Sequence, residues 1–167
     1  MNDDQKQIID QRLEELCQAV GSALWEAQGV EQMLAKYYAT AFKISTEASA
    51  EEIESEFAKN FSHTAGRLVG LLRDKATSMQ PYADRLEDFV TERNWVVHKV
   101  RRQDFQSLYS EKAFLDLVSR VKRLEREAFQ LVDVFHNLMI EHFVSVGVPR
   151  EHIDKEIENE LKRIYGS

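Results

Sequence analysis

The sequence predicts an all-α fold, a helical bundle of two long antiparallel helices with shorter helices packed between them. Breakers are scarce: six glycines and two prolines in 167 residues, too few for a strand-and-turn architecture. Apolar residues also recur at alternating four- and three-residue spacing over two long segments, the signature of buried helix faces. With 43% apolar and 31% charged residues, the composition is that of a soluble globular or bundled chain. Its length suits one domain, taken as 1–167, with no repeat, low-complexity tract or dividing linker.

The first segment opens near Asp3 or Asp4, either able to cap a helix. It carries Ile9, Leu13, Leu16, Val20, Ala23, Ala27, Val30, Leu34, Tyr37 and Ala41 in one heptad-like seam. Gly21 and Gly29 lie inside it and mark either a kink or a close approach by another helix. The pattern fails between Lys43 and Ser49. Ala50 to Phe61 reads as a short helix with acids in its first turn, matching the macrodipole. Ser62 or Thr64 then caps a compact apolar helix running to about Lys75.

Pro81 stands where a first-turn proline opens a helix. That helix carries Leu86, Phe89 and Val90 into Arg93-Asn94-Trp95-Val96-Val97-His98. Arg101 to Ser110 reads as a polar break, with Ser110 as the next cap. The second long helix bears Phe114, Leu117, Val121, Leu124, Ala128, Leu131, Phe135 and Leu138, and ends before Gly147-Val148-Pro149. A charged helix from Arg150 to about Tyr165 follows.

Cys17 is the single cysteine, so no internal disulfide forms and a reducing, cytoplasmic location is expected. The N-terminal Met1 to Lys6 is polar and acidic with no apolar core behind it, unlike a secretory signal. No stretch approaches the ~18–20 apolar residues of a membrane span, so no membrane partner is expected. Net charge is −7, which repels nucleic-acid phosphates. Any RNA chemistry must therefore use a local basic patch. Arg93, Lys99, Arg101 and Arg102 supply four cations and no acid within positions 93–102.

Arg93 and His98 are the strongest chemical candidates. Arg binds phosphate in a bidentate manner and offsets developing negative charge, while His moves protons near neutral pH. Asn94 and His98 are one helical turn apart and share a face. Arg93 lies about 140° round from His98 on a regular helix, so it joins them through its length or through fraying of the helix. The bland alternative is a charged helix with a surface histidine.

Arg93-Asn94-x-x-x-His98 resembles the signature of HEPN domains, an Arg and a His four to six residues apart with a polar residue commonly after the Arg. The order of elements is also similar: a long first helix, a central helix ending in the motif, and a long later helix. The resemblance implies a homodimer whose two motifs meet in a cleft. It also implies metal-independent endoribonuclease activity, with no cofactor, in toxin–antitoxin, phage-defence or other RNA-processing systems. Arg93 would stabilise the phosphate, His98 would transfer protons, Asn94 would orient them, and the RNA 2′-hydroxyl would attack. An antitoxin or regulatory protein partner is implied too. Some toxin subfamilies place a tyrosine two residues after the His; Val100 stands there, so regulation through that tyrosine is not implied.

Lys99, Arg101 and Arg102 suit RNA-backbone contacts, and equally suit a solvated helix end where cations offset the C-terminal dipole. Trp95 can stack on a base, though a core-facing role beside Val96 is the simpler reading. Cys17 borders the apolar seam and is read as core. His136 and His142 are six apart, on opposite helix faces, and do not form a metal pair. His63 is read as a loop or capping residue and His152 as solvated. Gly66 and Gly70 lack the strand that a phosphate-binding loop requires. The competing reading of the chain is a non-catalytic helical dimerisation or interaction module, built on surplus apolar seams.

Overall fold

The computed structural model describes residues 3–45, 47–75, 79–103 and 106–166. Among them the chain is helical throughout: α1 (Asp3–Phe42), α2 (Ala50–Phe61), α3 (Ala65–Arg73), α4 (Gln80–Gln103), α5 (Glu111–Ser145) and α6 (Arg150–Tyr165), with a 3-10 turn at Ser107–Tyr109. The local chemistry accounts for the starts. Ser49 and Glu52 form a reciprocal capping box at α2, Thr64 accepts from the Arg67 amide at α3, and Ser110 accepts from the Ala113 amide at α5. Each satisfies an amide that the first helical turn leaves without a partner. Gly147 follows α5 at φ 97°, a left-handed conformation that glycine adopts without steric cost.

α1 and α5 pair along most of their lengths, but they run parallel rather than antiparallel. Arg12 donates to the Leu108 carbonyl at 2.8 Å, and its guanidinium lies 5.6 Å over the Phe114 ring. The Ser22 hydroxyl donates to the Glu125 carboxylate. Farther along, Gly29 faces Val132, and Tyr37 packs 5.5 Å from Phe135. Sequence numbers rise together on the two helices. Short loops make neighbours antiparallel, yet α2, α3 and α4 all intervene here and return the chain to its starting end. α4 is the descending strut: it pairs with α1 through Tyr37–Met79 and Glu31–Arg93, and with α5 through Arg85–Glu127 and Glu92–Arg120. Both sets run in opposite directions, so α4 is antiparallel to its two long neighbours.

The seam at the centre is narrow on α1 and bulky on α5. Ala23, Ala27, Val30 and Leu34 face Val121, Leu124, Ala128, Leu131 and Phe135, all essentially buried. Burying a Leu or Phe side chain contributes roughly 1.5–3 kcal/mol, and small residues on α1 let the helices approach closely. The α5 seam and the α1 seam from Ala23 onward are thus largely consumed within one chain. α4 closes the third side with Ala83, Leu86, Phe89, Val96 and Val100.

Two expectations shift in detail. α4 continues through Gln103, so Arg101 and Arg102 lie on the helix rather than in a break. Gly21 and Gly29 produce no interruption of α1. A methyl at Gly21 would meet nothing within 4 Å, and one at Gly29 would meet Val132 at 3.9 Å, an ordinary contact. α6 buries no residue and is held largely by its own ion pairs, Arg150–Asp154, Lys162–Glu158 and Arg163–Glu160. No helix among the described residues is long and apolar enough to cross a membrane.

Two outcomes follow from this packing. Spin labels at Gln11 and Lys112, in a Cys17→Ser background, will report a short distance by pulsed electron resonance; a distance near the full length of α5 would restore the antiparallel arrangement. Gly21→Ala will raise unfolding stability by about 0.5–1 kcal/mol in urea titration, because it removes backbone entropy from the unfolded chain without a clash.

Candidate functional site

The Arg93–His98 motif lies on the last third of α4, on unbroken helix. Five residues on an α-helix separate two side chains by about 140° and roughly 7.5 Å of rise, so fraying does not bring Arg93 to His98. Arg93 turns toward α1, where its Nη2 pairs with the Glu31 carboxylate at 3.0 Å. Its Nη1 donates to the Asn94 side-chain oxygen at 3.2 Å. Both partners of the Arg93–Glu31 pair are half-buried, at 30% and 28% exposure, so the pair is shielded more than a surface ion pair. Asn94 and His98 are exposed and stand one turn apart. Asn94 therefore bridges the motif: it holds Arg93 by hydrogen bond and shares the His98 face.

The basic run after His98 divides between two faces. Lys99, Arg101 and Arg102 are all exposed. Asn94, His98 and Arg101 follow one another at four and three residues on an exposed face of α4. Trp95, Lys99 and Arg102 follow at the same spacing on the side toward α5. Arg101 and Arg102 thus both lie within one turn of His98, and Lys99 and Arg102 continue the line that carries Trp95.

Trp95 is half-buried and packs against the core cluster, but it is not enclosed. The Arg120 guanidinium of α5 lies 3.5 Å over its ring. Arg120 also holds both oxygens of Glu92, each at 2.9 Å. The hydrogen bond from Arg120 lowers the Glu92 carboxyl below its ordinary value against the opposing effect of desolvation. Cation, aromatic ring and carboxylate form a three-part clamp that fixes α4 to α5 one turn before the motif ends.

α1 contributes a stripe that a single-seam reading merges with the core. Leu16, Ala23, Ala27 and Val30 point inward, whereas Leu13, Cys17, Val20 and Leu24 form a second line on the α1 face that also carries Glu31. Leu13 is 46% exposed, Cys17 is exposed, and Val20 and Leu24 are only partly covered. Cys17 is therefore surface rather than core, because the four-three alternation carries it about 100° past the buried line. On α4, Val97 is 42% exposed and immediately precedes His98. An apolar strip thus borders the motif along the α1–α4 edge.

Glu31 and Arg120 escaped the sequence reading. Each is separated from its α4 partner by a long stretch of chain, and neither stands in a local motif. Among the described residues, no group of three His, Cys, Asp or Glu side chains is placed to hold a metal ion. No family model, curated protein or solved structure matches the chain.

The depressed Glu92 carboxyl makes the clamp pH-sensitive in a defined direction. A carboxyl lowered in the folded state stabilises at pH above its unfolded value, and that stabilisation is lost as pH falls through the folded value. Glu92→Gln will therefore flatten the loss of stability between about pH 5 and pH 3, measured by urea unfolding at each pH, with a cost near neutrality of about 1 kcal/mol or less. A parallel offset of the two curves, with no change in slope, would remove Glu92 from the acid transition.

Proposed function

We propose that the chain is a metal-independent endoribonuclease of HEPN type, working as a homodimer on RNA. The observation that carries the reading is the Arg93–Asn94–His98 edge on α4, where the Asn94 amide holds the Arg93 guanidinium and stands one turn from the exposed His98, bordered by an uncovered apolar strip. A second copy packed over Leu13, Leu24 and Val97 would bury the strip and set two such edges across one cleft. That arrangement supplies what a single chain lacks, since its own Arg93 and His98 diverge around the helix.

In the reaction, the His98 imidazole takes the proton of an RNA 2′-hydroxyl. The 2′-oxygen bonds to phosphorus, the bond from phosphorus to the 5′-oxygen breaks, and the leaving oxygen takes a proton from water, whose hydroxide then recovers the proton held by His98. Arg93 offsets the negative charge that accumulates on the phosphoryl oxygens. Glu31 holds the guanidinium in place and would yield to the phosphate when substrate binds. The products are a 2′,3′-cyclic phosphate and a 5′-hydroxyl. Cytoplasmic action in a toxin–antitoxin or phage-defence system, with an antitoxin or regulatory partner, belongs to the same proposal.

A non-catalytic interaction module remains the second reading, and one observation favours it. Trp25 is 74% exposed on the outer face of α1 and Phe129 is 51% exposed on α5, apolar surface that the bundle itself does not use. The seams that first suggested such a module are packed internally, so the reading now rests on these two aromatics.

Purified protein incubated with single-stranded RNA in excess chelator will cut it and leave cyclic-phosphate ends. His98→Ala will lower the rate at least ~100-fold, the low end of what a general acid–base contributes, and Arg93→Ala will lower it comparably. Leu13→Glu combined with Val97→Glu will yield monomer by sedimentation and lose cleavage together with the dimer. Equal cutting by the parent protein and His98→Ala, or RNA left intact by both, sinks the assignment.

A further inference from the structure

A groove of about 800 Å³ runs between α4 and α5, on the side of α4 away from Glu31. Its floor is apolar, made by Phe89 and Leu124, each 3% exposed. Its rim carries Arg85, Arg120, Arg123 and Arg126 against Asp88, Glu92 and Glu127. Two of the arginines are committed to carboxylates: Arg85 to Glu127 at 2.6 Å and Arg120 to Glu92. Arg123 and Arg126 are exposed, and neither is engaged in an ion pair among the described residues. The paired charges cancel and Asp88 opposes one of the two remaining arginines, which leaves the groove with one cation in excess on a chain of net charge −7.

The groove continues toward the motif. Arg85, Asp88, Glu92, Trp95, Lys99 and Arg102 succeed each other at three and four residues, one stripe of α4 facing α5. Lys99 and Arg102 therefore extend the line of cations from Arg123 past the Trp95–Arg120 stack to the end of α4. Arg102 and His98 are one turn apart, so the line ends beside the motif. We infer that this groove is the binding track for single-stranded RNA, with Arg123 and Arg126 contacting phosphates remote from the cut and the Arg120 guanidinium offering a planar surface for one base.

Single strands suit the surface for two reasons. Their phosphates follow an irregular line of cations without a fixed groove width, and their bases are free to stack. Arg120 is already held flat, by the Trp95 ring on one side and the Glu92 carboxylate at its edge. A base stacking on its outer face would order no further protein atoms. The inference rests on the RNA reading for the identity of the polyanion, but it concerns binding and stands apart from cleavage.

The test uses full-length His98→Ala protein, which separates binding from cutting, and a fluorescein-labelled 12-nucleotide oligouridine. Arg123→Glu with Arg126→Glu will weaken binding at least ~10-fold by anisotropy at low salt. The slope of log affinity against log salt will become shallower by about 1.4, the value for two phosphate contacts on a single strand. Lys6→Glu with Lys75→Glu makes the same change in net charge on exposed positions away from the groove, and will cost under ~3-fold. In a Trp25→Phe background the chain keeps Trp95 alone of its two tryptophans, and its emission will fall as RNA binds. Equal loss by the two double variants overturns the track, as does an absence of RNA binding by the His98→Ala protein. Binding through the groove without cleavage by the parent protein leaves the track standing and removes the nuclease assignment instead.

Discussion

The parallel seam between α1 and α5 is the constraint on which the other elements depend. Ala23 and Ala27 on one side and Ala128 on the other are almost wholly excluded from solvent. Their small volumes draw the two longest helices together, and close-packed interiors tolerate little slack at such a contact. Parallel neighbours cannot be joined by a short turn. The chain must travel back the length of the bundle, and α4 is that return. The position of Arg93 and His98 follows from it, because the only helix able to carry a motif between α1 and α5 is the one that closes the triangle with both.

This placement explains why the motif has two different environments. The α1 side of α4 offers Glu31 and an apolar strip; the α5 side offers Arg120 and a cationic groove. A single helix thereby turns Arg93 toward one neighbour and a stripe of charged residues toward the other, with His98 exposed between them. Local charge outweighs global charge within about 8–10 Å at physiological salt, so an acidic protein can still draw a phosphate to this end of α4. Three of the nearby acids are already occupied, Glu92 by Arg120, Glu127 by Arg85 and Glu31 by Arg93, while Asp88 on the groove rim is in no ion pair among the described residues.

Much of this was legible in the residues, for a physical reason. Caps and helix periodicity are local, so Ser110, the choice between Ser62 and Thr64, and both apolar seams could be placed from spacing alone. The mutual direction of α1 and α5 is non-local. A three-four repeat reads the same in either direction, and nothing in Leu16 or Leu131 states which way its partner runs. The same limit merged Leu13 and Val20 with the core line, since a heptad drifts by about 20° per repeat on a straight helix. It also hid Glu31 and Arg120, whose meaning comes only from what lies opposite. Cys17 was misplaced for a simpler reason: it adjoins Leu16 in sequence, but one residue on a helix is a turn of about 100°.

The Arg93–Glu31 pair shows how a site can be ordered before its ligand arrives. A guanidinium presents five N–H donors in a fixed plane, and here two are directed at Glu31 and Asn94. Left unpaired and half-buried, it would lose hydration without compensation; paired, it is held in one orientation at little cost. A phosphodiester has the same charge as the Glu31 carboxylate and comparable oxygen spacing, so it can replace that carboxylate donor for donor. The exchange would add one negative charge to the locality, since Glu31 stays on α1 and is left to be hydrated at the rim. On the proposed function, displacing Glu31 would cost the same in the bound ground state and in the transition state, so the competition would tune affinity rather than turnover. Any gain in turnover would come from the guanidinium meeting charge that develops on the phosphoryl oxygens after binding.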